Sequence, residues 1–425
     1  MFKALLLFTT CVTVVVARNS PNAEDVEKRY RSQVGSRYSD NILEDAELDV
    51  PGLIAKYGYP VEVHNVVTAD GYILEMHRIP HGRDNHNNPD EKRPAIFIMH
   101  GLLSSSADFL VLGPGSALGY QLAEAGYDVW LGNARGNFYS RQHIRLNPDI
   151  GNDFWRFSWD EIGNFDLPAL IDYILEITGE SKIHYIGHSQ GGTSFLVLNS
   201  LRPEYNEKLI SFHGLAPASY FTNSENEMFN NLARYESVLE TAAWAMGAGE
   251  IFADVNWLQD NFCGGGLLSV FDSLCQNGLS GMIGSEYINA SFFFQTILPI
   301  ILGHVPAGAS VRQVSHYGQV IRFDAFRRYN FNSITNLSVY GRLNPPLYDL
   351  SRVTVPTYLY YGLSDNEVYY KDLLKLAATL PNVISVNKMS RDSFNHFDFI
   401  WGSDATEQVY NSIVASLKDA ESKFL

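Results

Sequence analysis

Cysteine is scarce: three in 425 residues, one of them (Cys11) in the leading apolar stretch. This excludes a disulfide-dense scaffold and a cysteine-rich zinc site. Basic charge is also short. Lys and Arg number 31 against 47 Asp and Glu, a formal net charge of −16. With no basic stripe, nucleic acid is not an expected partner. Nor does charge draw the chain to anionic membranes. No run reaches eighteen apolar residues, so no transmembrane span is expected. No His-Glu-x-x-His spacing exists, and His81 and His86 lie in a polar loop, "HGRDNHNNPDEKR", that reads as solvated. Neither a metal nor a cofactor is expected.

What is present begins at the N-terminus. Lys3 precedes an apolar stretch at 4–16, and Val15-Val16-Ala17 is a small-residue cleavage signal. Residues 1–17 therefore read as a removable signal peptide, too short to span a bilayer. Cys263 and Cys275 remain, an even pair in an oxidising compartment, and a disulfide between them is expected. Sequons at Asn289 and Asn336 fit the same route. The chain is expected to be secreted or lysosomal; its oligomeric state is left open.

Residues 18–48 are polar and charged and read as a linker or propeptide-like arm. From 58 the pattern alternates and turns at Ala69-Asp70-Gly71, a hairpin. Then strands alternate with helical patterns: strands at 94–101, 128–131, 182–186 and 210–216, and a helix at 165–179. This rhythm implies a mostly parallel sheet covered by helices, an α/β fold. It stops after Pro217 and returns with strands at 355–362 and 383–389 and helices at 369–379 and 405–418. The chain thus divides into a core at 49–219 and 346–425, interrupted at 220–345 by an insertion rich in Phe, Trp, Gly and Asn and largely helical.

The sharpest signal is "IHYIGHSQGG", with Ser189 between Gly187 and Gly191. Chance alone yields a Gly-x-Ser-x-Gly match in roughly one chain of this length in seven. Here a buried strand precedes the serine and an apolar helix follows, the setting of a nucleophile elbow. A serine nucleophile needs a base and an orienting acid, later in the chain and on loops that follow strands. Asp365 in "YYGLSDNEV" and His396 in "SFNHFDFIWG" occupy such loops. Glu367 and Asp398 are rival acids; Asp365 is preferred as the first carboxylate past its strand. His100 reads as a brace for its loop, His184 as a core histidine, and His188 as pointing away from its neighbour Ser189. The oxyanion donors expected are the backbone N–H groups of Gln190 and of Leu102 in "HGLLSSSADF".

Five blocks in order, "HGLLSSSADF", "GYDVWLGNARGNFYSR", "GHSQGG", "HVPAGAS" and "NHFDFIWG", make the chain from about Glu47 onward resemble the acid lipases: gastric and lysosomal lipases and their invertebrate relatives. The resemblance implies an α/β-hydrolase fold with 220–345 as cap or lid. It implies Ser189, Asp365 and His396 as triad and Leu102 and Gln190 as oxyanion donors. The implied substrates are lipid esters, acylglycerols or sterol esters, met at a lipid–water interface. The acid loop lacks the family's usual glycine pair, and the family's third cap cysteine is absent. Two other functions stay open: a soluble carboxylesterase for small esters, and a non-catalytic lipid-binding protein on a hydrolase fold.

Overall fold

The computed structural model describes residues 40–224, 226–245, 247–251 and 297–424. Cys263, Cys275, Asn289 and residues 1–39 lie outside these, as does most of the apolar part of the insertion.

Eleven strands are found among the described residues: β1 Glu62–Val67, β2 Tyr72–Ile79, β3 Ala95–Met99, β4 Asp128–Gly132, β5 Gln142–His143, β6 Ile183–His188, β7 Leu209–Leu215, β8 Glu250–Ile251, β9 Ala309–Ser310, β10 Thr357–Tyr361 and β11 Val383–Lys388. The helices that matter here are α1 Asp40–Glu47, α2 Leu118–Glu124, α3 Leu167–Thr178, α4 Gln190–Leu201, α5 Glu227–Ala245, α6 Leu298–His304, α7 Val311–Phe323, α8 Ser333–Tyr340, α9 Tyr370–Thr379 and α10 Asn411–Phe424. The main sheet runs β1-β2-β4-β3-β6-β7-β10-β11, with β5 paired to β2. Pairing is antiparallel at the β1-β2-β4 end and parallel from β4 through β11.

The sequence pattern explains the layering. Every residue of β3 (AIFIM), β4, β6 and β7 is buried, as in parallel strands covered on both faces, and two polar ones among them, His184 and Ser211, pair with each other. The edge strand β11 instead alternates half-buried and exposed residues. Because the central strands are parallel, the loops after β3, β6, β10 and β11 all leave from one edge of the sheet. Those four loops carry Leu102, Ser189, Asp365 and His396.

Among the described residues between β7 and β10 no strand joins the main sheet, and β8 and β9 pair with each other. In that stretch α5 packs against α7, with Glu240 at the contact. Its Oε1 accepts from Trp244 Nε1 (2.9 Å) and Arg312 Nε (3.1 Å), and its Oε2 from Ser315 Oγ (2.8 Å) and the Tyr329 hydroxyl. Helix α7 is also tied to the core. His316 lies flat on Trp159, ring centroids 3.6 Å apart, and bonds Ser158 Oγ. Tyr317 OH meets Thr193 Oγ1 at 3.0 Å, one turn beyond Ser189.

Residues 40–47, the end of the polar N-terminal segment, form α1, which buries Leu43 and Ala46. In the apolar run near 300, Ile300 and Ile301 are buried, and a Cβ on Gly303 would lie 2.1 Å from the Ala46 carbonyl oxygen. That part of the run packs the core. Asn336 is also unsuited to carry a glycan. It is 1% exposed, and its Nδ2, where the sugar would attach, donates to Asn330 Oδ1 (2.7 Å) and Leu343 O (2.9 Å).

Candidate active site

Ser189 sits between β6 and α4 with φ 50° and ψ −116°, outside the favoured regions for a residue with a side chain. The turn is held at both ends. The Ser189 N–H donates to Leu215 O (3.0 Å), and its carbonyl accepts from Gly192 N (3.0 Å) and Thr193 N (3.2 Å). The surrounding glycines are required by space. A Cβ on Gly187 would lie 2.7 Å from the Gly191 carbonyl carbon, on Gly191 2.2 Å from Met99 O, and on Gly192 2.4 Å from Pro217 Cβ. Such strain and crowding persist where the surroundings over-determine the turn, as they do here. Gln190 opens α4, so its N–H belongs to the first turn, whose donors lack intrahelical acceptors.

The loop after β3 runs alongside. A Cβ on Gly101 would meet Ser189 Cβ at 3.3 Å and Oγ at 3.8 Å, which places Leu102 next to the serine in the chain path. Leu103 has φ 62°, and its carbonyl accepts from Ala307 N–H (2.7 Å), so the "HVPAGAS" block braces this loop. His100 braces it from below. Its Nδ1–H donates to Gly101 O (2.7 Å), while Nε2 accepts from Ala134 N–H (3.1 Å) and lies 3.2 Å from Asn137 Nδ2. Burial lowers the His100 pKa to about 4 despite the bond to Gly101, so the ring stays neutral in one tautomer. Asn137 also reaches Asn133 Oδ1 (2.9 Å), which accepts from Ser106 N–H. "GNARGN" thus serves the loop, a role not assigned from sequence.

Asp365 and His396 come together. His396 Nδ1 donates to Asp365 Oδ2 at 2.8 Å, leaving Nε2 as the acceptor nitrogen. Asp365 Oδ1 accepts from the N–H groups of Glu367 (3.0 Å) and Val368 (2.7 Å). Burial works against charge on His396, yet Asp365 and Glu367 outweigh it and hold the ring above its ordinary pKa. Of the rival acids, Asp398 accepts from Asn395 N–H (2.7 Å) and pairs with Arg391. Glu367 stays close to the pair without a hydrogen bond that would make it the orienting acid. His188, passed over in the sequence, links the halves of the site: its Nε2–H donates to His396 O (3.0 Å), with ring centroids 4.7 Å apart.

A partial alpha/beta-hydrolase lipase region matches residues 50–113, and the alpha/beta hydrolase fold matches 94–239. Lipase 1 of Drosophila melanogaster is 41% identical over 379 residues, covering 89% of this chain and 81% of its own. Gastric triacylglycerol lipase of Bos taurus is 37% identical over 378 residues, covering 88% and 92%. The chain belongs to the acid lipase family. As a member it is a carboxylic ester hydrolase. A solved structure of DcsB with its substrate analogue shares the fold alone, at TM-score 0.50 and 12% identity over 86% of this chain and all of the other. None of the described helices is long and apolar enough to cross a membrane.

Proposed function

We propose that this acid lipase cleaves acylglycerols or sterol esters through an acyl-enzyme on Ser189. His396 Nε2 takes the Ser189 proton as Oγ attacks the ester carbonyl, then gives it to the leaving alcohol. A water activated by the same nitrogen releases the acid. Asp365 holds the tautomer and balances the charge that forms on the imidazole. The N–H groups of Leu102 and Gln190 receive the oxyanion. The observation carrying this reading is the His396–Asp365 bond on loops at the sheet edge where the Ser189 elbow emerges.

Residues 220–345 are proposed as the cap over this site, with the apolar segment at 269–284 facing lipid. Signal-directed entry at 1–17, a Cys263–Cys275 disulfide and a glycan at Asn289 belong to the same proposal. Closing that cysteine loop contributes roughly 3 kcal/mol in the chain-entropy model. The test of the chemistry is Ser189→Ala. Turnover of emulsified triacylglycerol and of a short soluble ester should fall by a factor on the order of 10⁴ or more. A serine-reactive phosphonate should label Ser189 in the native chain. Label on another residue, or an active alanine variant, rejects the assignment.

A further inference from the structure

The proposed triad leaves one neighbouring carboxyl unused. Asp365, Glu367 and His396 each place a side-chain oxygen or ring nitrogen so that the three atoms lie within 4.8 Å of one another. Asp365 is fully engaged, by two backbone N–H groups on one oxygen and His396 on the other. Glu367 is half-buried in the same cluster. We propose that Glu367 is a positioning residue, a second carboxylate that acts on His396 and sets the pH range in which the imidazole serves as base. This rests on the triad reading given above.

The electrostatics follow from the geometry. Burial pushes the Glu367 carboxyl up to about 7; His396 opposes the rise and Asp365 adds to it. In acid the side chain is therefore neutral, and Asp365 alone acts on the imidazole. Towards neutral pH Glu367 ionises and a second negative charge favours the protonated ring. The other titratable groups around His396 do not supply that charge. His188 is held well below its ordinary pKa, by burial first and His396 second, and stays neutral. His100 behind it is neutral as well. Asp398 is engaged by Asn395 N–H and Arg391. Asn226 of the insertion reaches the Asn366 carbonyl with an uncharged amide.

The test is the pH dependence of kcat/KM, which reports the free enzyme's titrating groups. The full-length protein is assayed on p-nitrophenyl butyrate. An ionised Glu367 raises the His396 pKa, so its removal must lower it. Glu367→Gln and Glu367→Leu should each move the acidic limb down by about one pH unit. Glu367→Asp should restore most of the wild-type profile. The His396 ring, titrated by NMR in the Gln variant, should shift the same way. The inference is overturned if both variants superimpose on wild type while Asp365→Asn is inactive. It is also overturned if Glu367→Gln is as inactive as Ser189→Ala while Asp365→Asn is active, because Glu367 would then be the triad acid. An active Ser189→Ala variant marks the separate failure of the triad reading.

Discussion

At the scale of single residues, the site depends on what is absent as much as on what reacts. Gly101 has no side chain in the one direction that Ser189 occupies. In Gly101→Ala the new methyl would press on Ser189 Cβ at 3.3 Å, close enough to displace Ser189 or the loop after β3. We expect kcat to fall by about 10²-fold with KM and thermal stability little changed. Equal losses in stability and kcat would mean the glycine serves the fold instead. Ser189, Asp365 and His396 stood out in the sequence because each is a residue type suited to a triad on a loop just past a strand. His188 did not, and Glu367 stood there only as a rival acid. Both lie close to His396 across 208 and 29 positions of chain, and no local pattern encodes such closeness.

At the scale of elements, apolar runs read well and polar residues in irregular stretches read poorly. Strand β3 announced itself as an unbroken apolar segment, and β4, β6 and β7 as short strands between helical patterns. Asn336 did not: Asn-x-Ser is the same in a sequon and in a hydrogen-bonded core, and only burial separates them. Asn336 joins α8 to the segments at Asn330 and Leu343. Asn336→Ala should lower stability by about 1–3 kcal/mol through the unpaired Asn330 oxygen and Leu343 carbonyl. Glycosidase treatment should give the same gel shift for variant and wild type. Under the loop after β3, Asp108 makes a different demand. Burial pushes its carboxyl up to about 7, with the nearby Ser104 hydroxyl opposing, and Oδ1 has no partner among the described residues. A pKa raised on folding means the native state holds a proton that the unfolded chain releases. The stability from this group is full below the ordinary carboxylate range and is lost as pH rises towards 7. Asp108→Asn should flatten the fall in Tm between pH 5 and 8. An unchanged slope would show that the carboxyl ionises freely in the fold.

At the scale of the molecule, two parts meet at Ser189 with different tasks. The sheet presents Ser189, Asp365 and His396 on one edge, and α7 rests on the core beside them through Trp159, Ser158 and Thr193. The buried anchor at Glu240 ties α5 to α7, so these two helices are joined to each other and, through α7, to the core. Lipid contact, if the insertion is a cap, then falls to residues such as Phe271, Leu274 and Ile283, which lie outside the described residues. A large apolar surface is tolerated only at an interface, so these side chains matter when the substrate is an aggregate and little when it is dissolved. Replacing Phe271, Leu274 or Ile283 with a polar residue should depress hydrolysis of emulsified triacylglycerol by about tenfold, roughly the 1.4 kcal/mol of one buried apolar side chain. Turnover of p-nitrophenyl butyrate should stay within about twofold on the same scale. Parallel loss of both activities in folded variants would make these residues cap core. No loss of either would place the lipid-facing surface elsewhere on the molecule.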